Sequence, residues 1–449
     1  MASLMAGVSK VDITPPAGIF LSGFSARKKP AHKVHDRLYA RILLFSNGDI
    51  DKTLVIICAD LCAISRNITE RLRKIIKREV GIPEENIMVN VSHTHWAPEL
   101  DISPESSDIN LRKEWIDLLY KKIADGVDNC FRNKKEVKIG FGKGMVESIA
   151  YNRRVKLSDG SVLPAWRLGK KKEMVVGPAG PVDPELRVLY LTDKKDNPFA
   201  VLFNYSCHPT VGGLDPYDNV PSYEFSASYP GYAVKLIESK IPEITAIFAQ
   251  GCGGNIDPLI NKQSFKEAER IGNILGMETI KVIEKTRTFQ IDFPSLRKRK
   301  KEIPLVLREE FFDKRMEIED EERLRKLKME NASEEEIIPL ENRILVRELV
   351  KEKGLKRFVN SEVQVFEINN ILIFGLPCEP FVEIGLEIKN KVRNKDVIVL
   401  GYCNDCFSYF PTPKAFREGG YEVEVSLIDE ESVRRLKEAI SGLLREFEG

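Results

Sequence analysis

The chain has 449 residues, enough for two or three domains or for one large α/β unit with a substantial buried core. Its 69 Lys and Arg nearly cancel its 68 Asp and Glu, and a net charge of +1 supplies no field to draw in nucleic acid or an anionic membrane. No stretch is apolar over the roughly 18 residues a membrane span needs, and the N-terminal segment to Pro16 lacks the basic-then-apolar pattern of a secretory leader, so a soluble cytoplasmic protein is expected.

From the start to about residue 285, strand-like and helical runs alternate, the pattern of layered α/β proteins. Leu38 to Phe45 and Thr53 to Ala59 read as strands, being rich in β-branched or bulky apolar residues. Ser65 can cap a helix whose apolar stripe is Ile68, Leu72, Ile75 and Ile76, and Gly81 with Pro83 stops it. Ile87 to Val91 is a short strand that delivers Ser92-His93-Thr94-His95 to the loop at its C-terminal end, where α/β sheets commonly place ligands. A helix from about Leu111 to Arg132 carries Trp115, Leu118, Leu119, Ile123, Val127 and Phe131 on one side. Strands at Val137 to Gly142, Arg187 to Leu191 and Phe199 to Tyr205 follow, the last ending in Cys207-His208-Pro209. The strand Thr245 to Ala249 leads in the same way into Gly251-Cys252-Gly253-Gly254-Asn255-Ile256-Asp257-Pro258. Three strands therefore send chemistry toward what can be one edge.

Residues 290 to 360 change character. The stretch from Arg297 to Lys356 is dense in Lys, Arg and Glu and mostly helical in period, which reads as a solvated helical insertion. Glu362 to Ile368 and Ile371 to Leu376 flank Asn369-Asn370, a strand-turn-strand signal, and Pro377-Cys378-Glu379-Pro380 comes next. A helix from Phe381 to about Arg393, a strand near Val397, a loop through Tyr409 and a helix near Glu430 to Glu446 close the chain. The expected fold is α/β, with mixed β-sheets flanked by helices in a layered, sandwich-like catalytic domain spanning 1–449, and with the charged helical insertion inside it.

Only five histidines exist, at 32, 35, 93, 95 and 208, and the last three lie in loops directly after predicted strands. On an extended segment His-x-His sends both rings to one face, so the pair can ligate a metal together, or one ring can ligate while the other meets substrate. Catalytic zinc uses neutral imidazole and carboxylate, normally three protein ligands with a position left for water. His32 and His35 sit in a basic loop and read as solvated polar residues. The eight cysteines are scattered through apolar stretches, where reduced Cys behaves as a small hydrophobe, and Cys403-x-x-Cys406 alone does not make a redox site. A 31% share of charged residues leans toward a heat-adapted host.

Val11-Asp12-Ile13-Thr14-Pro15-Pro16, Ser22-Gly23-Phe24, Asp36-Arg37-Leu38-Tyr39-Ala40-Arg41 and Ala59-Asp60-Leu61 resemble, in order, the opening of the neutral, non-lysosomal ceramidases. Ser92-His93-Thr94-His95-Trp96-Ala97-Pro98 is similar to that family's T-H-T-H-S-G-P metal loop, and Asn152-Arg153 to its N-R-S-P segment. Asn204-Tyr205-Ser206-Cys207-His208-Pro209 resembles its second histidine motif, Leu376-Pro377-Cys378-Glu379 its P-G-E and Asn404 to Tyr409 its late tyrosine segment. The resemblance implies zinc held by His93, His208, Glu379 and Tyr409, with His95 and Arg153 facing the substrate, and hydrolysis of a linear amide by metal-activated water. Imidazole and carboxylate also accept Mn, Fe or Co. From the residues alone Arg153 reads equally as a structural ion pair, and Tyr409 as a buried ring with its hydroxyl hydrogen-bonded.

Two departures from the family stand out. Its G-D-V-S-P serine is replaced by Asp257, which removes a serine-dependent mechanism; Asp257 is expected to act as a general base or as a support of the metal water, against the plain alternative of an Asx turn before Pro258. Ser226 stands where the family usually has an aspartate. The leader and the C-terminal sandwich domain of the family's secreted members have no counterpart in this sequence, so the expected substrate is a small N-acyl or other amide rather than ceramide. Rival readings are a metal-dependent esterase, lactonase or phosphoester hydrolase, and a non-catalytic metal-binding protein. No nucleic-acid partner and no membrane span are expected, and homo-oligomerisation is left open.

Overall fold

The computed structural model of the chain describes residues 3–100 and 107–448, the side chain of residue 448 excepted. A large mixed sheet runs in the spatial order Thr245–Gln250, Pro198–Tyr205, Glu185–Asp193, Lys135–Met145, Met5–Asp12, Tyr39–Ser46, Leu54–Ala59, Ile87–Val91. Pairing is antiparallel through the middle and parallel at each end, where Pro198–Tyr205 lies beside Thr245–Gln250 and Leu54–Ala59 beside Ile87–Val91. Each parallel pair is joined through a helix, as parallel strands require. The expected strands and helices before residue 250 all form, with ends shifted by a few residues.

The sheet is buried on both faces, which explains its unbroken apolar runs. Ile42, Leu44, Val55, Ile57 and Val89 meet Leu72, Ile76, Trp115, Leu119, Ile123 and Val127 of the helices Arg66–Val80 and Ile109–Arg132. Val188, Val201, Phe203 and Ala246 meet the helices Ser228–Lys240 and Phe265–Lys285. The alternate residues Leu43, Phe45, Ile56, Leu189, Leu202 and Ile247 face the other way, against Phe366, Ile368, Ile373, Ile398 and Leu400 of a second sheet. That sheet runs Leu296–Val306, Phe358–Ile368, Ile371–Gly375, Asp396–Leu400. Its outer residues, among them Val363, Val365, Phe374 and Val399, pack under the helices Val382–Lys391 and Glu430–Glu448. The layers are helix, sheet, sheet, helix.

The two ends of the large sheet curl toward each other. Asn90 Oδ1 accepts the backbone N–H of Gln250 at 2.9 Å, while Asn90 Nδ2 donates to the carbonyl of Gly401 at 2.7 Å. One buried amide thus ties both terminal strands to the second sheet and brings the loops that follow them together.

The charged tract is not helical throughout. Leu296–Val306 is a strand, antiparallel to Phe358–Ile368 over its whole length, and the helices are confined to Lys314–Met329 and Glu334–Glu352. It forms an edge strand whose Lys and Arg side chains face solvent, a pattern that discourages edge-to-edge pairing and hides the strand's alternation in the sequence. Asp320 of the first helix pairs with Arg343 and with the buried Arg347 of the second. The hairpin over Asn369-Asn370 forms as expected, with Asn369 in the left-handed region at φ 55°. No helix among the described residues is long and apolar enough to cross a membrane.

Candidate metal centre

Four chain segments converge between the sheets. His93 follows the terminal strand Ile87–Val91, and its own backbone is left-handed at φ 64°, with its N–H donating to the carbonyl of Leu61 at 2.8 Å. The loop is therefore not the extended segment expected of His-x-His. The two rings still converge, His95 Nε2 lying 3.3 Å from His93 Nε2. His208 follows Pro198–Tyr205, and its N–H donates to the carbonyl of Ile256 at 2.9 Å.

Glu379 and Tyr409 come from the segments that follow the strands Ile371–Gly375 and Asp396–Leu400 of the second sheet. Each opens a two-residue strand, and the two are direct partners in a short parallel bridge. The Glu379 N–H donates to the Ser408 carbonyl at 2.9 Å. Gly254 donates its N–H to the Pro380 carbonyl at 2.9 Å, which locks the glycine-rich loop against this bridge.

The protonation pattern of the cluster follows from its partners. His93 Nδ1 lies 2.6 Å from the Cys62 carbonyl and His208 Nδ1 2.5 Å from the Gly253 carbonyl. A carbonyl oxygen only accepts, so each Nδ1 carries a proton, and in a neutral ring Nε2 is the nitrogen with the lone pair. Both Nε2 atoms lie 3.3 Å from Glu379 Oε2, so one carboxylate oxygen faces both rings. Among the described residues His208 Nε2 and Glu379 Oε2 are buried with no hydrogen-bond partner. A divalent cation could take all three as ligands, and imidazoles fixed through Nδ1 to a backbone carbonyl are oriented as ligating histidines usually are.

Glu379 and His93 hold opposite charges against burial. Burial raises the Glu379 carboxyl, but His93 and His208 outweigh it and hold its pKa well below the usual range. Burial lowers His93, yet Glu379 beside it holds its pKa well above the usual range. His95 is pushed well below its usual value by burial and then by the imidazoles of His93 and His208, so it is neutral.

Cys62 and Cys406 also lie near His93, and the sets Cys62, His93, His95 and His93, Glu379, Cys406 each have ligand atoms within 4.8 Å of one another. Cys62 Sγ sits 3.9 Å from Nδ1, the ring edge already committed to a carbonyl, and burial pushes the Cys406 thiol up to about 12. The histidine–carboxylate set fits a cation without ionising a thiol.

Arg153 is 3% exposed and each of its three guanidinium nitrogens has a partner. Nε donates to Glu422 Oε1 at 2.7 Å, Nη1 to Asp257 Oδ1 at 3.1 Å and Nη2 to the Tyr409 hydroxyl at 3.2 Å. Asp257 lies on a short strand paired with Ala150–Asn152, opposite Tyr151, with its carboxylate on Arg153. His32 and His35 lie outside the cluster; His35 stacks on Phe265 and bonds the Tyr232 hydroxyl at 2.9 Å.

Three contributors carry no metal-ligand pattern in the sequence. Glu422 is fully buried and pairs with Arg153 and Arg154. The ring of Tyr402, a left-handed residue at φ 53°, stacks on His93 with centroids 4.3 Å apart. Arg27, pushed down to about 10 by burial, donates to the carbonyls of His95, Ser22 and Ser222 and fixes the second histidine's backbone.

Residues 4–258 match the family described as neutral/alkaline non-lysosomal ceramidase, N-terminal. Among solved structures the chain is similar to neutral ceramidase from Pseudomonas aeruginosa, with a TM-score of 0.72 and 19% identity over 99% of this chain and 75% of that one. It is also similar to a ceramidase complexed with C2, with a TM-score of 0.71 and 17% identity over 99% and 76% of the respective chains. At these identities the likeness to the solved structures is one of fold.

Proposed function

The chain belongs to the neutral/alkaline non-lysosomal ceramidase family, whose name implies hydrolysis of an amide bond, and from that premise we propose a zinc-dependent hydrolase of linear N-acyl amides with His93, His208, Glu379 and Tyr409 as its metal ligands. The observation that carries this reading is the pair of imidazole Nε2 atoms held 3.3 Å from one Glu379 oxygen, with both Nδ1 protons donated to backbone carbonyls. Bound there, zinc would lower the pKa of water toward ~7 and polarise a carbonyl.

The remaining work falls to the chain's own groups. In this reading neutral His95, 3.3 Å from His93, hydrogen-bonds the substrate carbonyl oxygen as charge builds on it, a contribution of roughly 3 kcal/mol for one such donor. Arg153 holds the Tyr409 hydroxyl toward Glu379, and its charge offsets the cost of burying that phenol. Asp257 and Glu422 fix the guanidinium from two sides, so Asp257 acts in this reading as the orienting partner of Arg153. A small N-acyl compound is the substrate class we favour, and the protein is taken to work in the cytoplasm.

Elemental analysis of purified protein should find one zinc per chain in the wild type and close to none in His208→Ala. A panel of N-acyl amides, carboxylic esters and phosphoesters with zinc-loaded protein should show turnover of the amides. Activity on phosphoesters alone would remove the amidase reading. Full turnover by Asp257→Asn would remove any part for that carboxylate.

A further inference from the structure

Tyr402 joins the two halves of the candidate metal centre through its backbone. Its N–H donates at 2.8 Å to the carbonyl of Cys378, the residue before Glu379, and its carbonyl accepts at 3.2 Å the N–H of Val91, the last residue of the strand before His93. The residue is left-handed at φ 53°, a conformation that side chains with a β-carbon disfavour and that persists only where the surroundings hold it. Its ring lies over the His93 imidazole, with centroids 4.3 Å apart and planes inclined by 29°, and meets His208 edge-on at 6.1 Å.

Phenylalanine would serve this packing equally well, so the hydroxyl needs its own account. Tyr402 is fully buried, and among the described residues its hydroxyl has no hydrogen-bond partner. A buried phenol normally finds one, because an unsatisfied hydroxyl keeps the whole cost of leaving water. Glu379 Oε2 and His208 Nε2 are unpartnered in the same way at the same centre. Burial, and then the negative field of Glu379, hold the Tyr402 phenol well above its usual range. The hydroxyl is therefore a donor, and the nearby carboxylate only accepts. Arg153 does not compete for that carboxylate: its three nitrogens go to Glu422, Asp257 and Tyr409.

Resting on the metal reading above, we propose that Tyr402 is a positioning residue of the centre: with a divalent cation bound, its hydroxyl donates to the Glu379 carboxylate and holds it in place as a ligand. Ligating side chains are commonly oriented by a hydrogen bond of this kind, as the Nδ1–H groups of His93 and His208 are by backbone carbonyls. The hydroxyl then has opposite effects in the two states of the protein. Without metal it is a buried donor with nothing to bond, and with metal it supports a ligand.

The test removes that one oxygen. Zinc affinity of the full-length wild type and of Tyr402→Phe is measured by competition with a chromophoric chelator, and the metal-free proteins are unfolded in urea. Tyr402→Phe should bind zinc at least tenfold more weakly, while its metal-free urea midpoint equals or exceeds that of the wild type. Loaded with cobalt(II), which the same ligands accept, the two proteins should differ in their visible absorption bands, because the bands report how the carboxylate is presented. Equal zinc affinity or identical cobalt bands would overturn the proposal and leave the metal reading standing. A lower metal-free midpoint for Tyr402→Phe would overturn it too, since the hydroxyl would then serve the fold itself. A wild type that binds no zinc would remove the metal reading and this proposal with it.

Discussion

Gly23 lies against the imidazole of His95: a methyl group on its α-carbon would stand 2.4 Å from Cγ and 2.6 Å from Nδ1. Its backbone is left-handed as well, at φ 98°, so glycine is required twice over at this position.

Gly23→Ala should therefore cost about 1–2 kcal/mol of stability through the backbone alone and displace His95 in addition. The expected result is a fall in kcat/KM of at least tenfold with zinc content unchanged, since His95 is not assigned as a ligand. Turnover measured beside metal analysis checks it. Unchanged kcat/KM would remove His95 from the chemistry.

Glu422 gives a pH prediction. Burial raises its carboxyl, but Arg153 and Arg154 outweigh burial and hold it below the usual range. A depressed folded-state pKa means the stabilisation is complete above the free carboxyl's 4.5 and is lost as pH falls through the folded value. Glu422→Gln leaves two buried guanidinia short of a countercharge and should cost about 3–5 kcal/mol at neutral pH. Urea midpoints from pH ~3 to ~7 should fall in acid more steeply for the wild type than for the variant; parallel curves would contradict this.

The thiols beside His93 should be spectators. Burial keeps Cys406 protonated, with its pKa pushed up to about 12, so iodoacetamide at pH ~8 should label it slowly until the chain unfolds. Cys62→Ser and Cys406→Ser should both retain one zinc per chain. Loss of the metal in either variant would put sulfur among the ligands.

Gly254 allows a sharper comparison. A methyl there would stand 2.8 Å from the Glu379 carbonyl oxygen and 2.9 Å from that of Pro380, both rigid backbone, whereas at Gly253 the first atom met is Gln250 Nε2, on a side chain. Competition with a chelator should show Gly254→Ala losing zinc affinity at least tenfold and Gly253→Ala losing less. The reverse order would mean the bridge carrying Glu379 is not held by this loop.

The clustering of the three histidines in the candidate site was legible because histidines are few in the chain and these three follow strands. The polar atoms that orient their rings were not: both Nδ1 protons go to backbone carbonyls, which have no residue type to recognise. Glu422 was hidden for a related reason, since a carboxylate in a short acidic run looks like surface until Arg153 and Arg154 are seen beside it. In the fold, double-sided burial made strands such as Leu54–Ala59 plain as continuous apolar runs. Met5–Asp12 went unread because Gly7, Ser9 and Lys10 dilute its pattern; Gly7 is there because a side chain would strike the Cys130 carbonyl. Leu296–Val306 was read as helical because charge on an edge strand masks its alternation.

The seam between the two sheets has a consequence for the folding of the whole chain. The imidazoles follow strands of one sheet and the carboxylate and phenol follow strands of the other, so a cation shared among them would act as a removable cross-link between halves far apart in sequence. Such a tie stabilises only the assembled state, by about 2.7 kcal/mol when free metal exceeds its dissociation constant a hundredfold. Chelation should accordingly loosen the docking of the halves before it melts either one, and protease cuts should appear first in the connections between the sheets.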